Sequence, residues 1–177
     1  SPSIGGMAKG QLVREIDALG GEMARVTDKS AISFKTLNTR KGPAVQSSRT
    51  QNDKIRYHTA MKAALENTSG LDVKQALVER LLIEAGRVSG VVDRTGYLYA
   101  GQVVVLATGT FLKGRVHIGD RCIEAGRAGE FSSEGLAGHL MELGFSIGRM
   151  KTGTPPRLDR HTIDFSVLTR QAGDVAP

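Results

Sequence analysis

Between residues 102 and 112 three valines and a leucine run together and then give way to Ala107-Thr108-Gly109-Thr110. A short β-branched run that breaks abruptly into small residues reads as a buried strand of a parallel sheet. The carboxyl ends of such strands are where open α/β sheets bind ligands. Gly109, lacking a Cβ, lets a ligand lie against the backbone. A core strand followed by an ordinary glycine turn accounts for the same letters.

The chain ahead of this run alternates polar loops with periodic segments. SPSIGGMAKG is a loop. Leu12, Ile16 and Leu19 fall on one stripe, which predicts a helix over 11–19 that stops at Gly20-Gly21. A glycine loop feeding a helix is one way to receive a phosphate on backbone N–H groups, and also a plain loop-to-helix turn. Ile32, Phe34 and Leu37 suggest a strand within the mixed stretch 23–38. KGPAVQSSRTQND reads as a polar loop holding Lys41 and Arg49, with Lys54 directly after it. It is either a solvated surface loop or an anion-binding one, with Gly42 baring the backbone beside the cations. Good helix formers fill 54–67.

From residue 71 the pattern shortens. Strands are predicted at about 73–78, 81–84, 88–93 and 97–99, with turns at Ala85-Gly86 and Thr95-Gly96. This meander leads into the 103–106 strand. Past Leu112, KGRVHIGDRCIEAGRAGEFSS is a glycine-rich basic loop. Ser132 or Ser133 caps a helix running to about Leu143 along Leu136, Leu140 and Leu143. A strand candidate at 145–150 and the basic, proline-stiffened KTGTPPR at 151–157 follow. There is no internal repeat and no low-complexity tract.

The 177 residues suit one domain, or one and a fraction. No apolar run is long enough to span a bilayer, and no secretory signal opens the chain. The one cysteine, Cys122, cannot make an intrachain disulfide, which fits a reducing compartment, and it reads as an inert core thiol. The net charge of +6, from 24 Lys and Arg against 18 Asp and Glu, permits a polyanionic partner without demanding one. With no tryptophan and few aromatics among the basic residues, a base-stacking platform is poorly supported. The four histidines are scattered, none at metal spacing with the cysteine, so no zinc site is expected. No HExxH, GxSxG or Walker loop occurs. The basic loop past the ligand-binding edge of the sheet is where a phosphate or RNA backbone is expected to sit.

Five stretches are more specific than any of these signals: PSIGGMAKGQLVREIDALGG at 2–21, KGPAV at 41–45, VVVLATGTFL at 103–112, AGRAG at 125–129 and KTGTPPRLD at 151–159. On them the chain resembles the MnmG (GidA) family of FAD-dependent tRNA uridine-modifying proteins, over essentially all of its length. The resemblance implies an α/β fold: part of a two-dinucleotide-binding flavoprotein, with a Rossmann-like FAD domain and a β-meander, its first βαβ element largely absent. It implies a partial FAD-binding domain over 1–112, and over 113–177 a basic loop, helix and strand leading toward the next domain. The implied activity adds an aminomethyl or carboxymethylaminomethyl group to C5 of the wobble uridine of tRNA. Methylene-tetrahydrofolate gives the carbon, NADH the reducing equivalents, and the GTPase MnmE is the partner of a cytoplasmic homodimer.

By motif position Val78 and Ser133 look like FAD contacts, Thr108 and Gly109 lie beside the cofactor, and Ser3, Ile4, Gly5 and Gly6 form the loop facing the flavin. Lys113, Arg115, Arg127, Lys151 and Arg157 are expected to form part of an anion surface for tRNA. The family's GxGxxG turn is not in this sequence, and Ser1 stands where the family usually has Asn. The family's two catalytic cysteines are expected to fall before residue 1 and beyond residue 177, as are its NADH segment and C-terminal helical domain after residue 177. Cys122 matches neither cysteine. The chain is therefore expected to hold half a site and to be inactive alone, and no catalytic residue is assigned. A folate-dependent tRNA methyltransferase, a disulfide reductase, a cofactor-free basic RNA-binding module and a purely structural α/β fragment are the competing readings. The reductase lacks its cysteine pair here.

Overall fold

The computed structural model describes residues 2–153, 155–156 and 158–175. The chain divides into two compact units, Ser1–Val73 with Thr152–Pro177, and Lys74–Lys151.

The first unit is a three-stranded antiparallel sheet with three helices. Strands β1 (Ser3–Gly5), β2 (Ala31–Leu37) and β3 (Ser47–Asn52) lie in the order β1-β3-β2. Helices α1 (Lys9–Ala18), α2 (Glu22–Ser30) and α3 (Lys54–Glu66) complete it. Glu22 in the first turn of α2 and Lys29 in its last complement the helix dipole. Asp53 caps α3, its Oδ1 accepting the Ile55 and Arg56 amides at 2.9 and 3.0 Å.

The centre of this unit is polar. Asn52 is 4 % exposed. Its Nδ2 donates to the Thr27 carbonyl and to Ser30 Oγ, both at 2.9 Å, and its Oδ1 accepts the Thr50 hydroxyl at 2.7 Å. Ser30 Oγ donates on to the Val26 carbonyl at 2.8 Å. The Asn52 amide N–H reaches the Pro2 carbonyl at 2.8 Å, and the Asp53 N–H reaches the Ser30 carbonyl at 2.8 Å. One side chain thus ties the end of α2 to β3, and its own backbone ties β3 to the start of β1. Along the outer edge of β2, the Asp174 N–H donates to the Phe34 carbonyl and the Asp174 carboxylate accepts the Thr36 N–H, both at 2.8 Å. That contact answers part of an otherwise open edge.

The second unit opens with the meander β4 (Val78–Glu84), β5 (Arg87–Asp93) and β6 (Leu98–Ala100), all antiparallel. Ala85 and Gly86 both take positive φ, 48° and 75°, as the tightest two-residue hairpin turn requires. Asp93 builds the next turn. Its Oδ1 accepts the Thr95 amide, the Thr95 hydroxyl and the Tyr97 amide at 2.9, 2.6 and 3.1 Å, and its Oδ2 accepts the Tyr99 hydroxyl at 3.2 Å. The rings of Tyr97 and Tyr99 meet edge to face, centroids 4.8 Å apart. Helix α4 (Gly135–Glu142) packs on β4 and buries Leu136, Ala137 and Leu140. A separate hairpin, β7 (Arg115–Ile118) with β8 (Arg121–Glu124), completes the unit.

The α/β character holds, with three small antiparallel sheets among the described residues. Several expected elements differ. Residues 103–106 are not a buried strand: Val103 and Val105 are 78 % and 83 % exposed and no described strand pairs with them. Strand propensity alone does not make a strand, because the ladder bonds must come from a neighbour. Residues 73–77 and 145–150 also form no strand. Residues 47–52, read as loop, are the central strand of the first sheet, and 115–124, read as loop, are the β7–β8 hairpin. Cys122 is exposed, not a core thiol, because a two-stranded hairpin has no interior; its Sγ lies 4.0 Å from His117 Nε2 across the strands. No described helix is long and apolar enough to cross a membrane.

Removing the Asn52 side chain takes one hydrogen bond each from the buried Thr27 carbonyl and the Ser30 and Thr50 hydroxyls. Asn52→Ala is expected to lower stability by about 2–4 kcal/mol, read from urea unfolding. In the second unit the Thr95 hydroxyl, then the Tyr97 and Thr95 amides and the Tyr99 hydroxyl, hold the Asp93 carboxyl below its ordinary value against the opposing effect of desolvation. The stability this carboxylate adds is present above the unfolded carboxylate range of about 4 and is lost as pH falls through its lower folded value. Thermal unfolding of Asp93→Asn should therefore fall well below that of the parent at pH 7, with the gap closing as the medium is acidified.

Candidate functional site

The residues singled out by sequence fall into two groups, one in each unit. In the second unit the turn at 108–111 closes through the Phe111 N–H on the Thr108 carbonyl at 3.0 Å, with Gly109 at φ 55°. From there the chain locks onto a stretch well downstream. Ser133 N–H donates to the Phe111 carbonyl at 2.8 Å and Lys113 N–H to the Ser133 carbonyl at 2.9 Å, a parallel bridge centred on Leu112 and Ser133. The Thr110 hydroxyl donates to the Gly126 carbonyl at 2.6 Å and the Ala125 N–H to the Gly114 carbonyl at 3.1 Å.

Two glycines permit this closeness. A Cβ on Gly114 would meet the Thr110 and Ala125 carbonyl oxygens, and one on Gly126 would run into the Phe111 ring. Lys113 takes φ 46°, a conformation uncommon for a residue with a side chain. Ser133, 8 % exposed, then donates its hydroxyl to the Val78 carbonyl at 3.2 Å. Val78, Thr108, Gly109 and Ser133 thus belong to one bonded patch. Ser133 was expected as a possible helix cap; instead Glu134 occupies the cap position of α4 with no side-chain cap bond, and the Ser133 hydroxyl serves this cross-link.

Beside the patch, Leu81, Val104, Leu106, Leu112, Leu140 and Phe145 line an apolar cavity of about 380 Å³. At Gly109 an added Cβ would meet nothing within 4 Å, so the backbone there is open to approach.

In the first unit Ser3, Ile4 and Gly5 form β1 and pair with Gln51, Thr50 and Arg49 of β3. Ser3 Oγ donates to Gln51 Oε1 at 2.9 Å. Gly5 and Gly6 take φ 88° and 99° and Ala8 φ 60°, turning the chain into α1. The Gly6 N–H donates to the Ser48 carbonyl at 2.9 Å, and the Gly6 carbonyl accepts the Gly10 N–H at 2.7 Å and the Ser47 hydroxyl. A Cβ on Gly5 would strike the Ser48 carbonyl, whereas the space beside Gly6 is clear.

The expected anion residues are dispersed. Lys113 is exposed and follows the turn, with its carbonyl accepting Arg149 Nη1 at 3.4 Å. Arg115 stands opposite Glu124 in the β7–β8 register. Arg127 is in an ion pair with Glu130, its Nε 2.8 Å from Oε1. Lys151 is exposed, and Arg157 lies outside the described residues. The parts that sequence reasoning missed are Thr110, Phe111, Gly114 and Gly126, whose contacts span more than ten residues.

The family model for glucose inhibited division protein A matches residues 1–177. A Syntrophobacter fumaroxidans protein named tRNA uridine 5-carboxymethylaminomethyl modification enzyme MnmG is 60 % identical over 177 residues, all of this chain and 28 % of that protein. A Chlamydia felis protein of the same name is 51 % identical over 174 residues, 98 % of this chain and 28 % of its own. The chain therefore spans little more than a quarter of the curated relatives it matches. The structure of Aquifex aeolicus GidA in its form II crystal superposes with TM-score 0.90 at 51 % identity, over 98 % of this chain and 29 % of that one. A GidA-related protein from Thermus thermophilus matches 54 % of this chain and 42 % of its own, with TM-score 0.51 and 38 % identity.

Gly126→Ala must displace the Phe111 ring and loosen the patch. It is expected to cost about 1–3 kcal/mol in chemical denaturation. A neutral effect would mean that the ring swings aside freely.

Proposed function

The chain belongs to the glucose inhibited division protein A family, and from that premise we propose that it forms part of an FAD-dependent enzyme that modifies C5 of the wobble uridine of tRNA. The relatives' name, tRNA uridine 5-carboxymethylaminomethyl modification enzyme, supports the reaction and the substrate. The observation that carries the cofactor reading is the patch around Ser133, which joins Val78 to the turn at Thr108 and Gly109 through hydrogen bonds.

The residues present fit such a group in part. Gly109 offers open backbone at positive φ, an apolar cavity lies beside the patch, and the space next to Gly6 is clear. The Ser133 hydroxyl, already donating to Val78, faces a ligand only as an acceptor. No GxGxxG occurs in the sequence, so a pyrophosphate cradle of that kind is not built from these residues. Val78, Thr108, Gly109 and Ser133 would hold one part of FAD, and Ser3, Ile4, Gly5 and Gly6 would face the flavin. When bound, FAD supplies two-electron redox chemistry. The chain's own residues position: the Leu112–Ser133 bridge fixes the turn, and the apolar cavity beside it offers a surface for an uncharged part of the group.

The same reading takes NADH as reductant, methylene-tetrahydrofolate as carbon donor, the GTPase MnmE as partner, a homodimeric assembly and a cytoplasmic setting. It treats residues 1–112 as the partial FAD-binding domain and 113–177 as the approach to the next. Lys113, Arg115 and Lys151 contribute positive charge toward the RNA.

In the protein at its natural length, close to one FAD per chain is expected by absorbance. A valine at Gly109 is strained by about 1–2 kcal/mol at φ 55°, and this cost falls on apo and holo forms alike. Beyond it, Gly109→Val should lower FAD affinity at least tenfold. Equal loss of stability in both forms, with FAD affinity kept, would make Gly109 a turn residue only. A folded protein with no FAD affinity would leave the cofactor-free RNA-binding module standing.

A further inference from the structure

The positive charge of the chain is unevenly placed. Residues 29–52 carry Lys29, Lys35, Arg40, Lys41 and Arg49 and no Asp or Glu, which is five charges of the chain's net +6. Residues 113–130, the stretch whose composition looked most basic, set Lys113, Arg115, Arg121 and Arg127 against Asp120, Glu124 and Glu130, for a net of one.

The fold concentrates the first set further. Lys35 of β2 and Arg49 of β3 are direct cross-strand partners, and Gly5 of β1 is the partner of Arg49 on its other side. Like charges directly opposite one another destabilise a sheet. Both residues are half-buried, and among the described residues neither they nor Arg40 or Lys41 belongs to an ion pair. The nearby acid, Asp174, accepts the Thr36 backbone N–H at 2.8 Å on the β2 edge and is in no ion pair with Lys35.

The hairpin tip that presents Arg40 and Lys41 is internally bonded. Asn38 Nδ2 donates to the Val45 carbonyl at 3.0 Å, the Lys41 N–H to the Asn38 carbonyl at 2.9 Å, and Gln46 Nε2 to the Lys41 carbonyl at 3.3 Å. The charges are therefore held on a built surface. Phe34, the one aromatic of β2, alternates away from Lys35, so this face carries cations without a stacking ring.

We infer that the β2–β3 hairpin, with Lys35 and Arg49 side by side and Arg40 and Lys41 at its tip, is the surface that grips the phosphate backbone of the RNA substrate. The inference rests on the tRNA reading above. Cations without stacking partners fit backbone positioning and not base readout. The pairing of Gly5 with Arg49 brings this surface next to the glycine loop expected to face the flavin.

The test is tRNA binding by the protein at its natural length, titrated between about 50 and 200 mM salt. Lys35→Gln with Arg49→Gln should weaken binding about tenfold at the low-salt end and flatten the slope of log affinity against log salt by about 1–2, with FAD content kept. Because the change removes a repulsion, thermal stability should hold. Lys35→Arg with Arg49→Lys keeps both charges and should keep affinity and slope. Arg115→Gln with Arg127→Gln, where each cation faces an acid, should cost clearly less. Unchanged affinity and slope in the doubly neutral variant, while the parent binds tRNA, overturns the inference and leaves the tRNA reading intact. A fall in FAD content that accompanies the loss overturns it too, assigning the cations to the cofactor. A parent protein that binds no tRNA overturns the tRNA reading itself.

Discussion

The buried amide of Asn52 determines where β3 lies against α2, and through β3 the position of both neighbouring strands. Its side chain satisfies a carbonyl and a hydroxyl at the end of α2, and its backbone holds Pro2 at the entry to β1. The first unit has little apolar interior around it: Val26 is its only fully buried large hydrophobic side chain among the described residues. Hydrogen bonds that are individually modest become decisive where burial is this scarce, because each has a high cost when left unmade. Ser133 has the corresponding place in the second unit, where its hydroxyl bonds the meander and its backbone bonds the segment after the glycine turn.

Much of the helical framework was legible in the letters. Leu12 and Ile16 of the stripe lie on α1 with Leu19 at its C-cap, and Asp53 preceding Lys54 starts α3. The meander was legible from Ala85-Gly86 and Thr95-Gly96. Strand β3 was not, because SSRTQN has no apolar alternation; its pairing comes from β1 and β2 on either side. The β7–β8 hairpin had a signal, two four-residue runs around Gly119-Asp120, which the wealth of glycine and charge obscured.

The candidate site was legible in a different way. Motif position named Val78, Thr108, Gly109 and Ser133, yet no local rule links Val78 to Ser133 across 55 residues. The bonds that join Ser133 to the Thr108 turn run through Phe111, whose place in the 103–112 stretch does not announce its downstream partner. Charge was the least legible property. Counting cations along the chain pointed to 113–127, where Arg115 stands opposite Glu124 and Arg127 pairs with Glu130, whereas Lys35 and Arg49 stand opposite each other on β2 and β3. A cation's availability depends on the acid folded beside it, and that is settled only by tertiary structure.

The segment Val103-Val104-Val105-Leu106 has a consequence for how such a chain survives its own synthesis. It is uncharged, β-branched, free of proline, and offers ladder groups that no described strand takes up. Those are the attributes of a segment that associates edge to edge with its copies. Solubility during folding is then a race between intramolecular pairing and encounter with another nascent chain. Slower emergence, lower concentration or a holding chaperone all favour the productive branch.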